Sequence, residues 1–137
     1  MKDLNISVPR LTSRSVEEAK ELLAAQGFEF VVVGEGATVT DQRPFAHRDV
    51  VSGTRVMIYA GEEPPKEAVE MPDLSGKSYA AAKQALENRG LFIRTTGAPK
   101  SDGNATVSIQ SVQAGTDTSY GTVVEVTLID RDAVERL

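Results

Sequence analysis

Hydrophobic residues recur every three to four positions in two stretches of the chain, and this spacing predicts two amphipathic helices. Ser15 precedes the first helix and Ser78 the second, where a hydroxyl can cap the free backbone N–H groups. Glu18 can complete a capping box in the first helix. Gly27 and Gly90 follow the helices, where a left-handed residue commonly ends a helix. The apolar stripes of the two predicted helices are Val16, Ala19, Leu22 and Leu23, and Tyr79, Ala82, Ala85 and Leu86.

Three β-strands are predicted after each helix, from short runs of apolar or alternating residues. Their ranges are residues 28–33, 38–42 and 55–60, and then residues 91–96, 106–111 and 123–129. In the strand at 55–60, Val56, Ile58 and Ala60 alternate with more polar neighbours, which predicts a sheet that is buried on one face. A short extended segment ending in Pro9 or Pro72 precedes each helix. The pattern predicts the α+β class, with one helix packed on a three-stranded sheet.

The whole pattern occurs twice along the chain. Some residues recur 63 positions later and others 68 positions later, so the second copy carries an insertion of five residues near 98–104. The repeat predicts two tandem small domains, at residues 1–62 and 69–130, rather than one stacked array. Residues 63–68 are the expected linker, and residues 131–137 are the expected C-terminal tail. The recurring residues in the first copy are Pro9, Ala19, Leu23, Gly27, Gln42, Gly53, Thr54, Val56 and Ile58.

The linker leaves two arrangements of the domains open. It is charged and contains Pro64 and Pro65, a composition typical of an extended and semi-rigid spacer. The alternative is a turn that folds the two copies onto each other.

Composition and charge narrow the classes of function. The 137 residues carry a net charge of −5, spread evenly over both copies, so no basic stripe is present for nucleic acid. No run of 18 apolar residues occurs, and we expect no membrane contact in this segment.

Catalytic residues, metal ligands and cofactors are not expected. His47 is the only histidine and there is no cysteine, so partners for a metal ion or for a nucleophile are missing. Ser75-Gly76-Lys77-Ser78 resembles the end of a phosphate-binding loop, but Met71 stands where that loop requires glycine. We therefore interpret this segment as a loop and a helix cap, and the chain as a segment without enzymatic activity.

The order and spacing of short motifs in both copies resemble the PASTA domain, a module of penicillin-binding proteins and bacterial Ser/Thr kinases. The first copy departs from the family pattern at Ser13 and His47, which replace glycines, and the second departs at Val112, which replaces the turn proline. The matching segments of the second copy are Met71-Pro72-Asp73-Leu74-Ser75-Gly76-Lys77-Ser78, Ile109-Gln110 and Gly121-Thr122-Val123-Val124, and those of the first include Val8-Pro9, Gln42-Arg43-Pro44 and Gly53-Thr54-Arg55-Val56.

The resemblance implies a bacterial, non-catalytic module that binds peptidoglycan fragments or β-lactams weakly, or that positions a neighbouring domain. It also implies a place on the extracellular face of the cytoplasmic membrane, as part of a membrane-anchored parent. We expect the C-terminal PASTA pair of a penicillin-binding protein with a transpeptidase domain, because there are two copies and the chain ends soon after the second. The alternatives are the muropeptide-sensing region of a Ser/Thr kinase, and a pure spacer or protein-docking module.

Two arginines are the candidate ligand contacts. Stem peptides of peptidoglycan carry carboxylates, which arginine can bind through two parallel hydrogen bonds. Arg43 lies at the predicted turn beside Gln42, and Arg94 lies on the first long strand of the second copy. The alternative for both is a solvated surface arginine.

Overall fold

The computed structural model describes residues 5–130, and the predicted tail at 131–137 lies outside the described residues. Helix α1 spans Val16–Ala25 and helix α2 spans Tyr79–Glu87. The Ser15 hydroxyl accepts a hydrogen bond from the backbone N–H of Glu18 at 3.1 Å, and the Ser78 hydroxyl accepts one from Ala81 at 3.2 Å. Both predicted caps are confirmed. The Glu18 carboxylate accepts a hydrogen bond from the Ser15 hydroxyl at 3.1 Å, whereas the capping box expects the Ser15 backbone N–H.

A helix and a three-stranded sheet form each domain, so the predicted α+β class is confirmed. The central strand of each sheet pairs in parallel with the strand after the helix and antiparallel with the third strand. The strand order is β2-β5-β3 in the first domain and β7-β10-β8 in the second. Within residues 5–130 the strands are β1 (Asn5–Ser7), β2 (Glu29–Val33), β3 (Asp41–Arg43), β4 (Asp49–Val51), β5 (Arg55–Tyr59), β6 (Ala68–Glu70), β7 (Phe92–Gly97), β8 (Ala105–Gln110), β9 (Asp117–Ser119) and β10 (Val123–Asp130).

Two of these strands, β4 and β9, are absent from the sequence-based prediction. Each pairs antiparallel with the extended segment that opens its domain, so that β1 pairs with β4 and β6 pairs with β9. Three residues are too few to show an alternating pattern, and the partner strand lies more than forty residues away in the chain. The opening segments are therefore bound to their own domains by small two-stranded sheets.

The apolar stripes of both helices pack on their sheets as predicted. Leu23 and Leu86 are fully buried at equivalent positions, and Leu22 and Ala85 are partly buried at the edges of the stripes. The first core also contains Val56 and other residues of the sheet, and the second contains their counterparts. The largest fully buried side chains are Leu11, Leu23, Ile58, Met71, Leu74, Leu86, Leu91, Ile93 and Leu128.

The second domain covers part of the outer face of the first sheet, at the end of β5. Tyr59 lies on this face and is only 2% exposed, while its neighbour Met57 is half-buried. Phe92 of β7 joins the hydrophobic core of the first domain, and Val51 of β4 joins the core of the second. The domains are therefore packed on each other, although residues 63–66 between them form no turn. The apolar side chains Met57 and Tyr59 explain this packing, because separated domains would expose them to water.

Polar contacts also join the two domains. The Asn5 side chain donates a hydrogen bond to the carbonyl of Thr95 at 2.9 Å and accepts one from its N–H at 3.2 Å. Asn5 thus satisfies both backbone groups of one residue on β7. The hydroxyls of Tyr59 and Tyr120 lie 3.3 Å apart, and burial together with this contact raises the pKa of Tyr59. The Lys100 ammonium group lies 3.4 Å from the Ser52 hydroxyl.

Candidate functional site

A buried glutamine fixes the end of β3, where Arg43 lies. The side-chain oxygen of Gln42 accepts a hydrogen bond from the N–H of Leu11 at 2.7 Å. Its amide nitrogen donates to the carbonyls of Pro9 and Pro44, at 3.0 and 3.2 Å. The repeated Gln42 therefore ties the opening segment, the strand and the following turn together.

The second domain repeats this arrangement. Gln110 accepts a hydrogen bond from the N–H of Leu74 at 2.9 Å and donates to the carbonyls of Pro72 and Val112, at 3.1 and 2.9 Å. The turn forms around the glutamine even though Val112 replaces the usual proline. The glutamine recurs in both copies because it satisfies the same backbone groups in each domain.

The other two departures from the family pattern preserve the backbone conformation. Ser13 and His47 have φ angles of 73° and 68°, in the left-handed region, as do their glycine counterparts in the second domain, Gly76 at 75° and Gly115 at 85°. The two domains therefore share these turns, and the side chains of Ser13 and His47 are exposed on them.

Arg43 is held between the two domains. Its Nη1 donates to the Asp41 carboxylate and to the Gln42 carbonyl, each at 2.7 Å. The guanidinium lies 4.1 Å from the centre of the Phe45 ring, which is the geometry of a cation–π contact. Gly121 of the second domain approaches so closely that a Cβ there would lie 2.4 Å from the Arg43 side chain. The side chain is 15% exposed, and its Nε is buried without a hydrogen-bond partner among residues 5–130.

Arg94 is more accessible than Arg43. It lies on β7, and its Nε donates to the Glu125 carboxylate at 3.1 Å. The Arg94 and Glu125 side chains are 37% and 41% exposed. Among residues 5–130 no hydrogen bond is formed by the terminal nitrogens of Arg94, so they are available to a ligand.

The two arginines line neighbouring cavities between the domains. The cavity at Arg43 has a volume of about 400 Å³, and the cavity at Arg94 has about 250 Å³. Phe45 and Thr122 line both cavities, so together they form one inter-domain groove. The lining residues of the smaller cavity are Phe45, Arg48, Arg94, Gly121, Thr122 and Val123.

Sequence reasoning missed two residues of this groove, Phe45 and Arg48. Arg48 is exposed and forms no side-chain hydrogen bond or ion pair with any residue in the described range 5–130. Phe45 is 48% exposed beside it. The signal for both was the difference between the copies, since the equivalent positions are Gln113 and Thr116. The two copies share the backbone of this turn but differ in its side chains. A binding function of the turn can therefore belong to one copy only.

A larger cavity lies in the second domain, away from the groove. It has a volume of about 530 Å³ and is lined by Asp73, Lys77 and Arg89 among others. A hydrogen bond from the backbone N–H of Ser75 holds the pKa of Asp73 below its ordinary value. Arg89 donates to the carbonyl of Glu70 at 2.7 Å. These contacts stabilise the opening loop and the end of α2.

Two observations on the part of the chain that the structure describes concern metals and membranes. Across residues 5–130, no group of three or more histidine or carboxylate side chains is arranged to bind a metal ion. In the same range, neither helix is long and apolar enough to cross a membrane.

The family model of the PASTA domain matches residues 6–62 and 69–130. The chain belongs to the PASTA domain family. PASTA domains are non-catalytic modules, which agrees with the prediction of a segment without enzymatic activity. The departures at Ser13, His47 and Val112 leave the family fold intact in both copies.

Two curated relatives are similar in sequence to most of the chain. The chain is 31% identical over 135 residues to a probable serine/threonine-protein kinase of Clostridium perfringens, covering 90% of this chain and 20% of the relative. It is 34% identical over 125 residues to the serine/threonine-protein kinase PrkC of Bacillus subtilis, covering 85% and 19%. The chain thus spans about a fifth of the length of these relatives.

Two solved structures match with lower similarity. Penicillin Binding Protein 2X from Streptococcus thermophilus is 21% identical, with 92% of this chain and 17% of that chain covered and a TM-score of 0.39. The three-PASTA-domain region of a Ser/Thr kinase from Staphylococcus aureus is 20% identical, with 93% and 66% covered and a TM-score of 0.41.

Proposed function

We propose that this PASTA pair is a cell-wall-binding module of a longer, membrane-anchored bacterial protein, placed on the extracellular face of the cytoplasmic membrane. Its ligands are peptidoglycan fragments or β-lactams, which it binds weakly. The observation that carries the proposal is the inter-domain groove, where Arg94 has unused donors and Phe45 is half-exposed. Carboxylates on peptide stems suit such a surface, because arginine binds them through charge-assisted hydrogen bonds.

The parent protein is part of the same proposal. The sequence predicts the C-terminal PASTA pair of a penicillin-binding protein with a transpeptidase domain, and the role proposed for such a parent is in peptidoglycan synthesis and cell division. The kinases of Clostridium perfringens and Bacillus subtilis, at 31% and 34% identity, favour the alternative of a muropeptide-sensing kinase region. The coding sequence next to this segment decides between these two parents. A transpeptidase domain there would identify a penicillin-binding protein, and a kinase domain would identify a Ser/Thr kinase. We also propose residues 63–68 as the linker, supported by the gap between the two family matches.

Sedimentation with purified peptidoglycan tests wall binding itself. We expect the full chain to enter the pellet, and we expect soluble muropeptides to compete it away. A protein that stays in the supernatant at every peptidoglycan concentration would leave the spacer or docking module as the function.

Arg43 and Arg94 are the proposed contacts for ligand carboxylates. Replacing either by alanine should weaken binding by roughly 1–3 kcal/mol, the range for losing a hydrogen bond to a charged group. Titration calorimetry with muropeptides measures this change, and thermal unfolding of each variant serves as the control for folding. The control matters most for Arg43, which also contacts Asp41 and packs on Gly121. Unchanged affinity in both variants would remove these arginines as contacts.

Covalent reaction with penicillin is not expected. Acylation requires a serine with a nearby base and backbone donors for the oxyanion, and no serine of the chain has a lysine three positions later. Incubation with a fluorescent penicillin followed by denaturing electrophoresis should show no labelled band. A band that survives boiling would show that a nucleophile lies among residues interpreted here as caps and turns.

A further inference from the structure

We propose that Phe45, Arg48 and Arg94 form one composite site that binds the terminal carboxylate of a short peptide, and that the site is complete only when the two domains are docked. The inference rests on the proposed wall-binding function and identifies the part of the ligand that is recognised. Phe45 and Arg48 come from the first domain and Arg94 from the second. The chemistry that they recognise is a carboxylate attached to a small apolar body.

The charge of the smaller cavity favours an anion. The whole chain carries a net charge of −5, yet none of the residues that line this cavity is acidic. The Glu125 carboxylate offsets the positive charge of Arg94 and, among residues 5–130, is bound only by the Nε of that arginine. Arg48 has no ion-pair partner within residues 5–130. The neighbouring Asp41 carboxylate is already bound by Arg43 at 2.7 Å. One uncompensated positive charge beside free guanidinium donors attracts an anion that can accept two hydrogen bonds.

The apolar wall of the cavity restricts what can be attached to that carboxylate. Phe45 is 48% exposed, and Arg43 fixes its ring by stacking at 4.1 Å from the ring centre. Val123 adds a half-buried aliphatic side chain on the opposite domain. The cavity volume of about 250 Å³ is below the roughly 300–1,000 Å³ of sites for drug-sized ligands. The site therefore suits the last residue of a peptide rather than an extended glycan chain.

Domain docking brings the two arginines together. Thr95, the neighbour of Arg94 on β7, is held to the first domain by both hydrogen bonds of the Asn5 side chain. Gly121 and Thr122 at the groove lie directly beside the Tyr120 contact with Tyr59. A ligand that contacts Arg48 and Arg94 at once must bind the docked state more tightly than any opened state. By linkage, the ligand then stabilises the docked state by the same factor.

The test of the site uses N-acetyl-alanyl-alanine with a free carboxylate, and its C-terminal amide as the matched ligand control. In NMR titrations of the full chain, the acid should shift the signals of residues 121–123 and of the arginine side chains in the groove. We expect the amide to bind at least about tenfold more weakly, because it lacks the charge that strengthens the hydrogen bonds. Arg48→Ala and Arg94→Ala should each lower the affinity for the acid by about tenfold or more.

Arg55→Ala is the matched protein control. Arg55 is an exposed arginine of the first domain that lines a different cavity, so its loss should leave the affinity for the acid unchanged. Equal binding of acid and amide, or unchanged affinity in both groove variants, would overturn the proposal. An equal loss in Arg55→Ala would also overturn it, since the effect would then come from overall charge.

Peptidoglycan sedimentation separates this inference from the proposed function. Wall binding that persists in Arg48→Ala and Arg94→Ala would overturn the composite site and leave the proposed function standing. Binding of the acid at the groove without any wall binding would support the site and contradict the proposed function.

The dependence on docking has its own measurement. Saturation with the acid should slow hydrogen exchange at the Thr95 amide, which donates to Asn5 across the domain interface. Arg48→Ala should reduce this added protection, because the ligand would lose its charged contact with the first domain and keep only Phe45 there. A Thr95 exchange rate that does not change when the acid occupies the groove would show that the site does not need the docked domains.

Discussion

Replacing Leu23 or Leu86 by alanine should lower the free energy of unfolding by about 2–5 kcal/mol. Both side chains are fully buried at equivalent positions of α1 and α2, where they face the sheet of their own domain. Alanine removes the transfer free energy of the lost carbons and leaves a cavity that the neighbours fill only in part. Domains of this size are only marginally stable, so this loss is a large fraction of their free energy of unfolding.

Urea denaturation followed by circular dichroism measures this change. Leu22→Ala is the matched control, because Leu22 is the same residue type in the same helix and is only partly buried. It should cost clearly less than Leu23→Ala. Equal costs for the two variants, or a negligible cost at Leu23, would show that the buried face of α1 has been assigned wrongly.

Replacing Gln42 by alanine should lower the free energy of unfolding by about 2–4 kcal/mol, through unpaired backbone groups rather than through a lost apolar contact. The Gln42 side chain is 2% exposed and satisfies the N–H of Leu11 and the carbonyls of Pro9 and Pro44. Without it, one buried donor and two acceptors lose their partner. Gln110→Ala should have a similar effect in the second domain.

The same denaturation experiment tests the glutamines. Gln42→Glu keeps an acceptor for Leu11 but removes both donors and buries a charge, so it should not restore stability. Gln84→Ala is the surface control and should change stability by less than about 0.5 kcal/mol. A Gln42→Ala variant as stable as Gln84→Ala would mean that water replaces these hydrogen bonds, and that the glutamine does not fix the turn.

Local patterns of the sequence were sufficient to predict the helices and the central sheets. The stripes on α1 and α2 are long enough to define a period, and Ser15 and Ser78 mark where the helices begin. The strands β4 and β9 were not predicted, because each has three residues and depends on a distant partner. A pattern of three residues carries no period, whatever its composition.

The docking of the two domains could not be predicted from the sequence of each repeat taken separately. Tyr59 and Met57 alternate with core residues along β5, which predicts a solvent-facing side when each repeat is considered alone. Their cover comes from Phe92 and Tyr120, which lie in the other repeat. The alternation of apolar and polar residues indicates which face of a strand is buried in its own domain. It contains no information on whether a neighbouring domain also buries the other face.

The candidate site was predicted only in part for a related reason. Arg43 and Arg94 were chosen because arginine suits carboxylates, and the structure brings both to one groove. Arg48 could not be ranked with them, since whether an arginine has a partner depends on tertiary contacts. The structure shows Arg43 bound to Asp41 and Arg48 without a partner among the described residues, a difference that composition and spacing do not encode.

The most direct test of the account is whether the two PASTA domains form one docked body in solution. Nitrogen-15 relaxation of the full chain should give one rotational correlation time for residues of both domains. A nuclear Overhauser effect should connect the Asn5 side-chain amide with the Thr95 backbone, where the hydrogen bonds measure 2.9 and 3.2 Å. Separate correlation times for the two domains, with no cross-peak between Asn5 and Thr95, would contradict the docked arrangement and the groove built on it.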